Sequence, residues 1–381
     1  MDPANWKIHN ASGSRRVIVT KQLPGERWLE FLTRADCRVE ICTATDVLTV
    51  DEIKAAMGQH CDGAIGQLTE NWGDALFAAL KAAGGTAYSN YAVGYNNIDV
   101  DAATRHGIPV GNTPGVLTAT TAQMAVALTF AAARRTGEAE RFLRAGNYNS
   151  WLPTLFLGEL LWRKTVGVIG AGRIGAAYAR MMVEGHKMNL IYYDVHRNEA
   201  LEDYIAAYAQ FLKSRGEAPV TCTRAETIED LLQQADCVSI HTVLDDTTRH
   251  LINAPRLAQM KENAVLVNTS RGPVIDEAAL VAHCRRNPSF HAGLDVFENE
   301  PQLAPGLAEL DNVVIVPHIA SATGWTRQGM ATLAAGNVAG ILMGYPVWNR
   351  SDILPFLEDA PPQAAPSIVN AQALGLPVFK D

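Results

Sequence analysis

The chain has 381 residues, 48% of them hydrophobic and 19% charged, and a formal net charge of -8; its pI is near 5.7 and its mean hydropathy -0.01. That length exceeds the ~100 to 200 residues of a usual domain, so two lobes and a cleft are expected. No apolar run approaches the roughly 18 residues of a membrane span, and the acidic excess argues against a nucleic-acid partner, which calls for a basic surface. The cysteines (Cys37, Cys42, Cys61, Cys222, Cys237 and Cys284) form no CxxC pair and show no metal-ligand spacing. They read as reduced thiols of a soluble intracellular protein, and no metal is expected.

In chain order, the first sixteen residues lack the apolar core of a secretory signal and read as a frayed start or a processed remnant. Val17 to Val19, a helical stretch around Trp28 to Leu32, Arg38 to Ile41 and Gly63 to Ile65 then alternate as in an α/β lobe. Thr118 to Arg135 is Ala-rich with almost no breakers and predicts a long buried helix crossing between lobes. After the irregular, aromatic stretch Asn147 to Trp162, short β-branched runs recur at Thr165 to Ile169, Leu190 to Tyr193, Cys237 to His241, Val265 to Asn268, Gly293 to Val296 and Val313 to Val316. Helix-length spacers between them predict a parallel doubly wound sheet. Arg327 to Met343 reads as a helix and the proline-rich tail from Pro355 as extended chain. The expected organisation is a first lobe over residues 1–120, a dinucleotide-binding lobe over 121–317, and a return to the first lobe over 318–381.

Gly170-Ala171-Gly172-Arg173-Ile174-Gly175 is a GxGxxG. Alone the pattern is common, but here it follows a strand, opens a helix, and is answered by Asp194 at the end of the next apolar run. The first glycine permits a tight turn, the second lets pyrophosphate approach the backbone, and the third lets helix and strand pack. A carboxylate at Asp194 accepts hydrogen bonds from the adenosine ribose and repels a 2'-phosphate, so NAD(H) is expected, with NADP(H) weaker.

Three later segments set polar groups just after apolar strands: Asn268-Thr269-Ser270-Arg271-Gly272, Asp295-Val296-Phe297-Glu298-Asn299-Glu300-Pro301, and Pro317-His318-Ile319-Ala320-Ser321. In a parallel sheet those carboxyl ends line the ligand crevice. An arginine, a carboxylate and a histidine there supply anion binding, an orienting acid and a proton shuttle.

At these residues the sequence resembles the D-isomer-specific 2-hydroxyacid dehydrogenase family, over nearly the whole chain. The resemblance implies a Rossmann doubly wound dinucleotide-binding domain inserted in a flavodoxin-like substrate domain. It makes Arg271 the holder of the substrate carboxylate or carbonyl, His318 the acid/base and Glu300 its partner; Glu298 competes with Glu300, which is preferred because it precedes Pro301. It implies further that Arg173, Ile174, Thr269, Ser270 and Asp295 contact the cofactor, and that Ala92, Val93, Gly94 and Ser321 contact the substrate.

Asn90 to Asn97, Gly111 to Thr118, Ser150 to Pro153 and Ala177 to Gly185 resemble the family's photorespiratory hydroxypyruvate reductases of plants and algae. That branch implies NADH-dependent reduction of hydroxypyruvate to D-glycerate and of glyoxylate to glycolate, in a homodimer whose arm carries Trp151 to the partner's substrate site. Glyoxylate, phosphoglycerate and formate dehydrogenases of the same fold, and a non-catalytic NAD-sensing corepressor, remain alternatives. The branch also implies a peroxisome, but the chain ends Phe379-Lys380-Asp381 where a Ser-Lys-Leu type address would stand, which leaves mitochondrion and cytosol open.

Overall fold

The computed structural model describes residues 5–380; residues 1–4 and 381, the outermost parts of the leader and address segments considered above, lie outside it. The chain forms two compact units, one of residues 1–117 with 322–381 and the other of residues 118–321. Thr118 to Thr120 and His318 to Ser321 thus belong to the second unit, a few residues beyond the boundaries read from the sequence. At the far boundary the reason is local, because Asp295 holds the amides of Ile319 and Ala320 within that unit.

The first unit holds a six-stranded sheet in the order β1-β3-β2-β4-β5-β6. Its strands are Trp6–His9 (β1), Arg15–Val19 (β2), Cys37–Cys42 (β3), Gly63–Gly66 (β4), Ala87–Asn90 (β5) and Val110–Gly111 (β6). All neighbours pair in parallel except β1, which lies antiparallel on β3. Residues 6–9 are therefore not frayed: an open edge of β3 exposes unpaired backbone groups, and Trp6–His9 satisfies them. The long helix Gly324–Leu342 packs on this sheet and begins earlier than expected, because the Thr323 hydroxyl accepts the Thr326 amide as an N-cap. The tail is not wholly extended. Leu354–Leu357 forms a turn of 3-10 helix, and Val347 bridges both Ala365 and Val378.

The second unit holds a seven-stranded sheet in the order β13-β12-β11-β10-β7-β8-β9. The strands are Thr165–Ile169 (β7), Asn189–Tyr193 (β8), Cys222–Arg224 (β9), Cys237–Ile240 (β10), Val265–Asn268 (β11), His291–Leu294 (β12) and Val313–Ile315 (β13), all parallel. Alternation along each strand feeds two cores: in β11, Val265 and Val267 enter one cluster and Leu266 the other. Burial on both faces explains the near-continuous apolar runs. β9 carries no such run and escapes sequence reading. The expected helix from Thr118 to Arg135 ends at Ala133, since Arg135 takes a left-handed φ of 52°, and a second helix, Thr136–Arg144, follows. The strand order reverses direction between β7 and β10, which places a topological switch at their carboxyl ends. No helix among the described residues is long and apolar enough to cross a membrane.

Candidate active site

The turn after β7 is built by glycines. Gly170 has φ 88°, and a Cβ there would lie 2.8 Å from the backbone of His241 and Thr242 just after β10. At Gly175 a Cβ would stand 2.0 Å from the Gly170 carbonyl oxygen, so only glycine lets the helix Arg173–His186 pack so near the strand. Gly172 differs: a Cβ there would meet nothing within 4 Å. It is exposed, and the helix it precedes has no side-chain cap. The N-terminal amides therefore face open space, which suits a pyrophosphate. Arg173 is exposed and Ile174 half-buried against the core.

Asp194 follows β8 and accepts the amides of Ala171 at 2.7 Å and His196 at 2.9 Å, which ties the carboxylate to the glycine turn. Each oxygen keeps a second lone pair for a ribose hydroxyl. Arg197 is held by Glu202 at 2.7 and 3.0 Å. Arg224 instead reaches the Asp194 carbonyl at 2.9 Å.

After β11, Asn268 organises the next segment. Its Oδ1 accepts the Ser270 amide at 3.0 Å and hydroxyl at 2.8 Å, and its Nδ2 donates to the Arg271 carbonyl at 2.9 Å. The Thr269 hydroxyl is buried without a hydrogen-bond partner among the described residues, an orphan that a ligand group can satisfy. With the open Gly172 cradle and the poised Asp194, it fits a dinucleotide. A Cβ on Gly272 would lie 1.9 Å from the Phe297 carbonyl, so this glycine lets the Arg271 segment pack against the segment that carries Glu300. Burial lowers the Arg271 guanidinium pKa from its usual value, opposed by the Glu300 charge; it stays a cation.

His318 and Glu300 meet directly, Nδ1 to Oε2 at 2.9 Å. The other Glu300 oxygen accepts the Phe297 amide at 2.9 Å. Burial pushes the Glu300 carboxyl up, but the His318 hydrogen bond and charge, the Phe297 amide and Arg271 together hold it below the usual carboxylate range. An ionised Glu300 is acceptor-only, so His318 donates from Nδ1 and its ring turns Nε2 to the outside of the pair. His318 itself has φ 52°, a left-handed backbone rare outside glycine.

Asp295 accounts for that geometry. It is fully buried and accepts the amides of Ile319 at 2.6 Å and Ala320 at 2.9 Å, while its carbonyl accepts the His318 amide at 2.9 Å. Burial raises its pKa and the two amides oppose the shift. The cofactor contact expected of Asp295 leaves its clamp on the histidine segment as the role visible in its hydrogen bonds. Ser321, half-buried, follows that clamp.

Glu298 is occupied elsewhere. It pairs with His250 at 2.6 Å, and its amide donates to the buried Glu277 at 2.9 Å. Sequence reasoning misses the roles of Asn268 and Gly272, although both flank the quoted Arg271.

In the first unit, the loop after β5 carries Ala92, Val93 and Gly94. The Ala92 carbonyl accepts the Thr113 amide at 2.9 Å and the Gly94 carbonyl accepts Asn90 Nδ2 at 3.0 Å. The amides of the three residues make no hydrogen bond among the described residues. Trp151 is 75% exposed and so is not packed within its own chain; Leu157 and Leu160 nearby are exposed as well.

Residues 126–320 match the family described as D-isomer specific 2-hydroxyacid dehydrogenase, NAD binding domain. The chain is 59% identical to "Glycerate dehydrogenase HPR, peroxisomal" of Arabidopsis thaliana, covering 99% of each chain. It is 40% identical to a glyoxylate reductase of Korarchaeum cryptofilum, covering 86% of this chain and 93% of that one. Among solved structures, the TT0316 protein of Thermus thermophilus superposes with a TM-score of 0.74 at 34% identity, covering 93% of this chain and 99% of that one.

Proposed function

Because the chain belongs to the D-isomer-specific 2-hydroxyacid dehydrogenase family, we propose that it reduces hydroxypyruvate to D-glycerate with NADH, and glyoxylate to glycolate as a second activity. The observation that carries this reading is the 2.9 Å His318–Glu300 hydrogen bond near the half-buried Arg271 in the unit that holds the glycine turn. Likeness to a glycerate dehydrogenase over 99% of the chain supports the choice of substrate, and likeness to a glyoxylate reductase the second one.

The glycine turn, Asp194, Thr269 and Ser270 hold the dinucleotide, which when bound supplies the hydride for the substrate carbonyl carbon. Ala92, Val93 and Gly94 offer their amides to the substrate carboxylate. Arg271 pairs with the carboxylate or carbonyl and stabilises the negative charge that grows on the carbonyl oxygen. His318 delivers a proton from Nε2 to that oxygen, while Glu300, ionised, keeps the ring oriented and stabilises its cationic form. Water reprotonates the neutral ring for the next cycle. Asp295 keeps His318 in its left-handed position, so that the proton arrives from a fixed direction.

Two finer points belong to the same proposal. The exposed Trp151 arm is an interface of a homodimer, in which the indole approaches the partner's substrate; a bare tryptophan on a free surface is unusual and typical of interface anchors. The compartment is the peroxisome carried in the Arabidopsis relative's name, and imaging the full chain tagged at its N-terminus tests it, with mitochondrial or cytosolic signal as the overturning result. Activity is tested by following NADH loss with hydroxypyruvate, glyoxylate, pyruvate and phosphohydroxypyruvate. Hydroxypyruvate should be turned over most efficiently; no turnover of any of the four would favour a non-catalytic NAD sensor.

A further inference from the structure

The loop of Ala92, Val93 and Gly94 is pinned from behind at all three carbonyls, and the middle pin leads far along the chain. The Val93 carbonyl accepts Asn112 Nδ2 at 2.9 Å. Asn112, buried just after β6, is oriented in turn by Ser367, whose hydroxyl donates to Asn112 Oδ1 at 2.6 Å. The Asn112 amide also donates to the Ser367 carbonyl at 3.3 Å. Ser367 is fixed by the fully buried Asn337 of the long helix: Asn337 Oδ1 accepts the Ser367 amide at 2.8 Å, and its Nδ2 donates to the Asn112 carbonyl at 2.9 Å and to Ser89 Oγ at 3.2 Å. Gly111 makes room for this, since a Cβ there would lie 2.6 Å from Asn337 Nδ2.

A side-chain amide has one accepting end and one donating end, so its orientation depends on which partners it meets. With the Ser367 hydroxyl on Oδ1, the Asn112 NH₂ must point at the Val93 carbonyl. That bond turns the Val93–Gly94 peptide so that its carbonyl faces inward and its N–H outward, where no acceptor is present among the described residues.

We propose that Ser367 and Asn112 are positioning residues for substrate, by which the C-terminal segment sets the direction of the loop amides that receive the carboxylate. This rests on the reading that those amides bind the substrate carboxylate. Neither residue touches substrate. The tail's pairing with the sheet, through Ile368 on Gly111 and the Val369 amide on the Val110 carbonyl, makes it part of the site's support.

The test compares Ser367→Ala, Ser367→Thr and Asn112→Asp in the full chain, with Gly94→Pro as the control for the underlying reading. Ser367→Ala should raise the KM for hydroxypyruvate roughly three- to tenfold, the effect of one net hydrogen bond. Its kcat should stay within about twofold and the KM for NADH should not move. Ser367→Thr, which keeps the hydroxyl, should restore the substrate KM. Asn112→Asp, which sets an anion against the Val93 carbonyl, should raise it further. Thermal melting identifies any variant that fails to fold, and Ser367→Ala, a single-atom deletion at a half-buried site, then carries the test. Unchanged substrate KM in folded Ser367→Ala and Asn112→Asp, while Gly94→Pro raises it, overturns the relay and spares the reading. Unchanged KM in folded Gly94→Pro, which lacks one loop amide, overturns the reading itself. Parallel losses in kcat and NADH affinity on Ser367→Ala would reduce the network to a general structural role and overturn the proposal.

Discussion

Replacing Asp295 by asparagine removes one of two accepting oxygens from a fully buried site while keeping its volume. The two amides it serves bond different oxygens, Ile319 to Oδ1 at 2.6 Å and Ala320 to Oδ2 at 2.9 Å, so in the asparagine variant one buried N–H is left facing an NH₂ group. An unsatisfied buried donor costs about 1 to 3 kcal/mol, partly offset here because the buried charge disappears with it. For a unit spanning residues 118–321, ~2 to 4 °C of melting temperature per kcal/mol sets the fall at no more than ~2 to 12 °C. Activity should fall further than stability. His318 sits at φ 52° because the clamp holds the residues after it, and displacing an acid/base group by ~1 Å costs on the order of a hundredfold in kcat. The assay pairs thermal melting with steady-state NADH oxidation and a fluorescence titration of NADH. A large loss in kcat with an almost unchanged NADH Kd is expected. A normal kcat with NADH binding weakened tenfold or more would refute the clamp and return Asp295 to a cofactor role.

Other outcomes follow from the same geometry. Asp194→Ala should raise the KM for NADH and narrow the preference over NADPH, with Arg224 rather than the Glu202-bound Arg197 available to a 2'-phosphate; equal use of both cofactors by the unaltered protein would contradict it. Trp151→Ala should lower kcat/KM for hydroxypyruvate more than for glyoxylate, by ~1 to 3 kcal/mol, in a protein whose sedimentation matches that of the unaltered chain; equal losses would remove its specificity role. Burial pushes the His241 imidazole down to about 3, so the unfolded chain, titrating near 6.5, takes up the proton first. Stability from this residue is complete above pH 6.5 and declines as pH falls toward 3, by at most ~1.4 kcal/mol per unit. Because part of His241 meets solvent, its depression is smaller than full burial would give and the pH window over which stability is lost is narrower. His241→Gln should flatten the acid limb of denaturant-measured stability, and an unchanged slope would refute the assignment.

The parts of the molecule legible in the sequence are those whose residue types are forced locally. β11 reads as Val265 to Asn268 because both faces of a parallel strand are buried, and the glycine turn reads from spacing because Gly170 and Gly175 answer to a left-handed φ and a 2.0 Å contact. Trp6–His9 is illegible because an edge strand needs only backbone groups to pair, and nothing in its side chains announces β3. At the candidate site, sequence favours Glu300 over Glu298 only through its proline neighbour; the reason visible in three dimensions is that His250 and Glu277 occupy the Glu298 segment. The Asn112–Ser367 link joins residues 255 apart in the sequence, with the whole second unit between them, and has no local pattern, so only the fold brings it together.

The most direct measurement is turnover of hydroxypyruvate by the unaltered protein and by His318→Gln at saturating NADH, with NADH binding followed in parallel by fluorescence. Loss of a general acid lowers the rate by ~10² to 10⁴, so a drop of that size with an unchanged NADH Kd is expected. Near-normal turnover by His318→Gln would contradict the assignment of the His318–Glu300 pair as the proton-transfer centre.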